Sequence, residues 1–217
     1  MKNRGGKGMK SFLVYCLSYW IWAAWSLTGG TFLPSRLAAS FIAETVVKAA
    51  IWLLPMGVCA LQRDNKWHIP PVELCAAPFP WQATFISLCL TTAFLHTMHI
   101  LMVGLDTWGL YQHLWIGYSL SAAVIEELAF RGLLFNLQAP TLGVRKAAVV
   151  NGLLFALYHF PEFLAGQNFM AVLGLRFWVI TVMGTLFSLA FAKWKRLEMT
   201  IVIHFVWNML CQWFVLS

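Results

Sequence analysis

Glu126, Glu127 and Arg131 lie within one apolar stretch, Leu114 to Gln138, that is long enough to cross a bilayer. At mid-membrane each ionisable group costs roughly 2.5–3.5 kcal/mol on the insertion scale, so the trio costs on the order of 8–10 kcal/mol before compensation. The compensating partners must be polar groups at similar depth. His159 in one later apolar segment, and His204 with Asn208 in another, are the candidates. Carboxylates, imidazoles and an amide gathered in a low-dielectric interior are the groups of general acid–base catalysis and of oxyanion stabilisation.

Helix geometry separates the two glutamates. Successive residues turn by about 100°, so Glu127 and Arg131, four apart, share a face, with the acid ahead of the base in the favourable order. Glu126 and Arg131 are five apart and diverge by roughly 140° on the same geometry. Glu127 is therefore placed to pair with Arg131, and Glu126 is left unpaired within its own helix. One neutralised and one free carboxylate suggest a structural role beside a chemical one; a packing network holding both is the competing explanation.

In the next segment Phe155 and His159 share a face at four-residue spacing, and in the last His204 and Asn208 do the same. His204 and Asn208 both carry hydrogen-bond donors, which an oxyanion requires. Polar pairs also bind transmembrane helices together, so neither pair alone distinguishes chemistry from packing.

The elements that must position these groups follow from composition. The 217 residues are 60% hydrophobic and 11% charged, against roughly 25% charged in soluble domains. An ordinary globular protein is excluded, and about seven spans of ~20 residues would fill the length. Apolar segments run near 11–28, 37–61, 82–103, 113–138, 146–164, 171–193 and 199–217, separated by turn residues such as Gly29-Gly30 and Pro34, Asp106 to Gly109, and Pro140 with Gly143. The expected fold is all-α: a polytopic transmembrane helical bundle in a single membrane-embedded domain, 1–217. Within it, 1–110 form the N-terminal spans and 113–217 the catalytic core spans. Pro161 lies two residues after His159, so that helix is a candidate for a kink or an early end.

The net charge of +7 does not point to nucleic acid, because the basic residues fall between the apolar segments. With the N-terminus in the cytoplasm, Lys2, Arg4, Lys7, Lys10, Arg63, Lys66, Arg145, Lys146, Lys193, Lys195 and Arg196 face inward, and only Arg36 and Arg176 face outward. That asymmetry sets the N-terminus inside. The stretch 62–81, with prolines at 70, 71 and 78, is read as a segment along the inner surface. The run Phe12 to Leu27 lacks a small-residue cleavage site and is read as a retained first span.

Glu126-Glu127-x-x-x-Arg131, then Phe155-x-x-x-His159, then His204-x-x-x-Asn208, in that order in apolar segments, resembles the CPBP family of membrane proteases. This family comprises CAAX proteases and bacteriocin-processing proteins, is also called Abi, and includes the type II CAAX prenyl endopeptidase. The resemblance covers about residues 113–217. It implies a metal-independent, glutamate-type intramembrane endopeptidase in which Glu126 and His159 activate a water, His204 and Asn208 stabilise the oxyanion, and Glu127 and Arg131 support them. It further implies a peptide or protein substrate, lipidated or membrane-anchored, and the small single-domain layout suits a bacterial plasma-membrane protein.

No HExxH zinc pair, GxSG serine motif or GxGD aspartate motif is present. Two alternatives stand beside the protease reading. One is a non-catalytic membrane scaffold or bacteriocin-immunity protein of the same family. The other is a zinc-dependent membrane hydrolase with the metal on Glu126, His159 and His204, since three N/O ligands and an open position suit catalytic zinc; no cofactor is otherwise expected. Among the remaining residues, Glu44 and Lys48 are expected to neutralise each other at i, i+4. His96 and His99 are read as packing or interface groups, and tryptophans near span ends, such as Trp20 and Trp81, as interfacial anchors. Asn151 is not assigned to the site.

Overall fold

The long apolar runs carry few turn residues, and they fold as helices whose bounds follow the sequence segments closely. The computed structural model describes residues 5–28, 37–60, 66–102, 114–165, 174 and 176–215. Its helices are α1 (Gly5–Thr28), α2 (Leu37–Ala60), α3 (Trp81–Met102), α4 (Leu114–Glu127), α5 (Asn136–Leu142), α6 (Val144–Ala165), α7 (Phe177–Trp194) and α8 (Leu197–Val215). Among the described residues there is no strand, so the all-α expectation holds. By length and composition α7 is the one described helix long and apolar enough to cross a membrane, beside shorter apolar stretches in Thr45–Pro55, Trp81–Leu95 and Leu197–Cys211. The separators at Gly29-Gly30, Pro34 and Asp106 to Gly109 lie outside the described residues. Pro161 does not end α6, which continues to Ala165.

The first motif helix does not stay α-helical. Leu128–Phe135 has π geometry and joins α4 to α5 without a break. A π turn is wider than an α turn, and such segments are frequent at functional sites. Two buried asparagines take up carbonyls of this segment: Asn151 Nδ2 donates to Phe130 O at 3.0 Å and Asn136 Nδ2 to Gly132 O at 3.3 Å. Asn151 Oδ1 also accepts from Ser188 Oγ at 3.0 Å, so one amide ties α6 to the π segment and to α7.

Around this central helix, α2 and α8 pack against α4, α6 pairs with α7 and with α1, and α3 lies against α8. The α6–α7 pair is close because two glycines face each other. A Cβ on Gly152 would meet the Thr185 hydroxyl and lie 2.5 Å from the Thr181 carbonyl oxygen, and one on Gly184 would lie 3.0 Å from Gly152 Cα. Tyr15, Trp22, Trp52, Phe130, Phe155 and Tyr158 form the aromatic core beside the pair.

At one end of the bundle, Asn136 Oδ1 accepts from Ile69 N and its Nδ2 donates to Ile69 O, both at 2.6 Å. Arg196 donates to the Cys75 and Ala77 carbonyls, and Leu197 N to Leu74 O at 3.1 Å. The proline-rich stretch from 66 to 80 is thereby fastened to the same end as the α7–α8 turn.

Candidate active site

Glu126 and Glu127 close α4, and both are buried. Their side chains take different directions, as the helix geometry requires. Arg131 Nη1 donates to Glu127 Oε1 at 2.8 Å, and Arg131 Nη2 to the Gly184 carbonyl at 3.0 Å. The bare α-carbon of Gly184 leaves the guanidinium room, since a Cβ there would sit 3.3 Å from Nη2. The guanidinium also lies over Phe155 and Phe187, 4.6 and 5.3 Å from their ring centroids. A permanently charged side chain in full burial is thus held by a carboxylate, a carbonyl and two aromatic faces.

His204, on α8, directs Nδ1 to Glu127 Oε1 at 2.8 Å and Nε2 to Glu126 Oε2 at 3.4 Å. His159, on α6, directs Nδ1 to the Phe155 carbonyl at 2.9 Å and Nε2 to Glu126 Oε2 at 3.6 Å. Five residues expected at the site therefore converge: Glu126, Glu127, Arg131, His159 and His204. Asn208, one turn beyond His204, sends Nδ2 to the Ser119 carbonyl on α4 at 3.5 Å. It links α8 to α4 in this arrangement, at the outer limit of a hydrogen bond.

The partners fix the ring tautomers. A carbonyl can only accept, so His159 Nδ1 carries the proton. Glu127, paired with Arg131, is a carboxylate and also only accepts, so His204 Nδ1 carries a proton too. In the neutral rings both Nε2 atoms then present lone pairs, and both face Glu126 Oε2, which accepts no hydrogen bond of ordinary geometry among the described residues. Three acceptors converge on one point. His159 is the most open of the three, its side chain 15% exposed against 3% for Glu126.

The structure adds a residue that the sequence reading did not place at the site: Lys48 Nζ donates to Glu126 Oε1 at 2.5 Å, with Trp52 and Trp22 ring centroids 4.7 and 5.4 Å away. The side chains of Glu44, His96 and His99 lie outside the described residues. The signal for Lys48 was a charge count: a carboxylate with no partner in its own helix and a lysine buried in another. A local acid four residues before Lys48 concealed it. Of the tryptophans, Trp20 and Trp81 are exposed as anchors would be, whereas Trp22 and Trp52 are fully buried around Lys48.

Residues 108–210 match the family model described as type II CAAX prenyl endopeptidase Rce1-like. The match bears out the family resemblance read from the three motifs, and it includes every expected site residue while leaving Lys48 outside. No curated protein and no solved structure matches the chain.

Proposed function

We propose that the protein is an intramembrane endopeptidase that hydrolyses a peptide bond with a water activated by Glu126 and His159. The observation that carries this reading is the meeting of Glu126 Oε2 with His159 Nε2 and His204 Nε2 at 3.6 and 3.4 Å. Three acceptors around one point call for O–H donors, and a water molecule supplies two. Glu126 takes one proton of that water as its oxygen attacks the scissile carbonyl carbon. The carbonyl π electrons move to oxygen, giving a tetrahedral oxyanion. When the C–N bond breaks, the proton passes to the leaving amine, leaving an acid and an amine with no covalent enzyme intermediate. Before that, Glu126 hands the water proton on to His204 Nε2, 3.4 Å away, which then donates toward the oxyanion, and Asn208 supplies the second donor on leaving Ser119. Removing one such donor typically costs about 2.7–4 kcal/mol of transition-state stabilisation.

The reaction runs without a metal. A dication on Glu126 Oε2 would share its carboxylate with the Lys48 ammonium, placing like charges within one buried group.

The bundle is read as membrane-embedded, with about seven spans. Rows of large apolar side chains face outward, among them Trp20 and Ile21, Phe85 and Leu90, Trp178 and Val182. Contiguous apolar surface of this kind marks contact with lipid or partner. The basic residues at the inner loops support a cytoplasmic N-terminus, and a bacterial plasma membrane is the proposed location. The substrate is a peptide or protein segment presented from the membrane; a prenylated CAAX tail is the candidate that the matched family's description names. The test compares peptides released from membranes holding active or Glu126→Gln protein. Products absent only with Glu126→Gln support the protease, and identical peptide pools return the chain to the scaffold reading.

A further inference from the structure

Lys48 is buried and charged, and the reaction described above makes no use of it. Its ammonium engages Glu126 Oε1, while the other oxygen, Oε2, meets the imidazoles. We propose that Lys48 is a positioning residue of the active site, clamping one oxygen of Glu126 so that the carboxylate stays ionised with the other oxygen turned to His159 and His204. The proposal rests on Glu126 being the base.

The terminal torsion of a glutamate is broad, so an untethered carboxylate would sweep its basic oxygen away from the water. A clamp on Oε1 removes that freedom. The clamp is itself held. Trp52 packs edge-on against Phe130 and Tyr158, and Trp22 Nε1 donates to the Tyr158 carbonyl at 3.0 Å. The two rings beside Nζ add cation–π attraction in a desolvated pocket.

Charge balance points the same way. Among the described residues, the groups facing Glu126 are Lys48 from α2, His159 from α6 and His204 from α8, with Glu127 and Arg131 behind. With neutral imidazoles, Lys48 is the described cation at Glu126, as Arg131 is at Glu127. Lys48 comes from outside residues 108–210, so the N-terminal half supplies a group that the motif-bearing half lacks.

The test uses purified full-length protein in detergent with Lys48→Met, Lys48→Arg and Glu126→Gln. On a fluorogenic farnesylated CAAX peptide, Lys48→Met lowers kcat about 10²-fold, the scale of a small misplacement. The acid limb of its pH–rate profile moves up, because the opposite charge at contact is gone, and Lys48→Arg keeps the limb in place. Infrared difference spectra read the same group without substrate. The band lost on Glu126→Gln is that of a carboxylate at neutral pH in the unmutated protein and of a protonated carboxyl in Lys48→Met. A carboxylate band in both proteins, or an unmoved acid limb, overturns the proposal even if the rate falls. Should Lys48→Met fail to fold, the Lys48→Met/Glu126→Gln double variant regains melting temperature, and a double variant no more stable than Lys48→Met overturns it. Cleavage retained in Glu126→Gln would instead remove the catalytic reading itself.

Discussion

His204 Nδ1 donates to Glu127 Oε1 at 2.8 Å across 77 positions of sequence, and that bond decides what the other nitrogen of the ring can do. Glu127 holds the imidazole with Nε2 facing Glu126. In the proposed reaction a proton passed to Nε2 from Glu126 makes that nitrogen the donor an oxyanion needs. Replacing His204 with alanine is expected to reduce kcat by about 10²–10³-fold with a smaller effect on KM. Steady-state kinetics on the reconstituted protein check this, and a change confined to KM would contradict it.

Glu127 and Arg131 are expected to act through stability. Both are fully buried and pair at 2.8 Å, and removing one partner of such a pair typically costs about 3–5 kcal/mol. Arg131→Met should therefore lower the thermal midpoint and the yield. Adding Glu127→Gln should recover part of that loss. Thermal unfolding of the two single variants and the double reads the coupling directly.

That pair and its spacing were legible in the sequence because both partners sit on one helix, where four residues make nearly one turn. The helix bounds were legible for a similar local reason, apolar runs ending at Gly and charged residues, although Pro140, read as a separator, lies inside α5. The π geometry of Leu128–Phe135 was not, since an apolar run reads the same whether its turns are wide or narrow. Lys48 was missed because its partner lies 78 positions away and a nearer acid offered an easy pairing. Asn208 shows the converse, a residue placed by its motif whose contact in the structure is with Ser119 on α4.

The α6–α7 contact should be intolerant of a single methyl. Gly152→Ala would press its Cβ into the Thr181 carbonyl and Thr185 hydroxyl, and overpacking of this sort costs about 1–3 kcal/mol. The helices cannot separate freely, because Asn151, Ser188 and Arg131 bridge them. A lowered melting temperature is expected, with activity falling in step; an unchanged midpoint would mean that the helices lie further apart than described.

Chelators separate the two hydrolytic chemistries. Glu126 already carries the Lys48 ammonium, so prolonged treatment with a zinc chelator is expected to leave the cleavage rate unchanged. Loss of activity, restored by stoichiometric zinc, would place a metal on Glu126, His159 and His204 instead.

The measurement that bears most directly on Glu126 as the base is Glu126→Gln in purified, reconstituted protein, with cleavage and thermal midpoint recorded on the same sample. The amide keeps the shape but cannot take a proton from water. Cleavage should fall by at least the 10²–10⁴-fold attributed to a positioned acid–base group, while the protein still unfolds cooperatively as a folded bundle. A folded variant that cleaves at a rate near that of the unmutated protein would contradict the account.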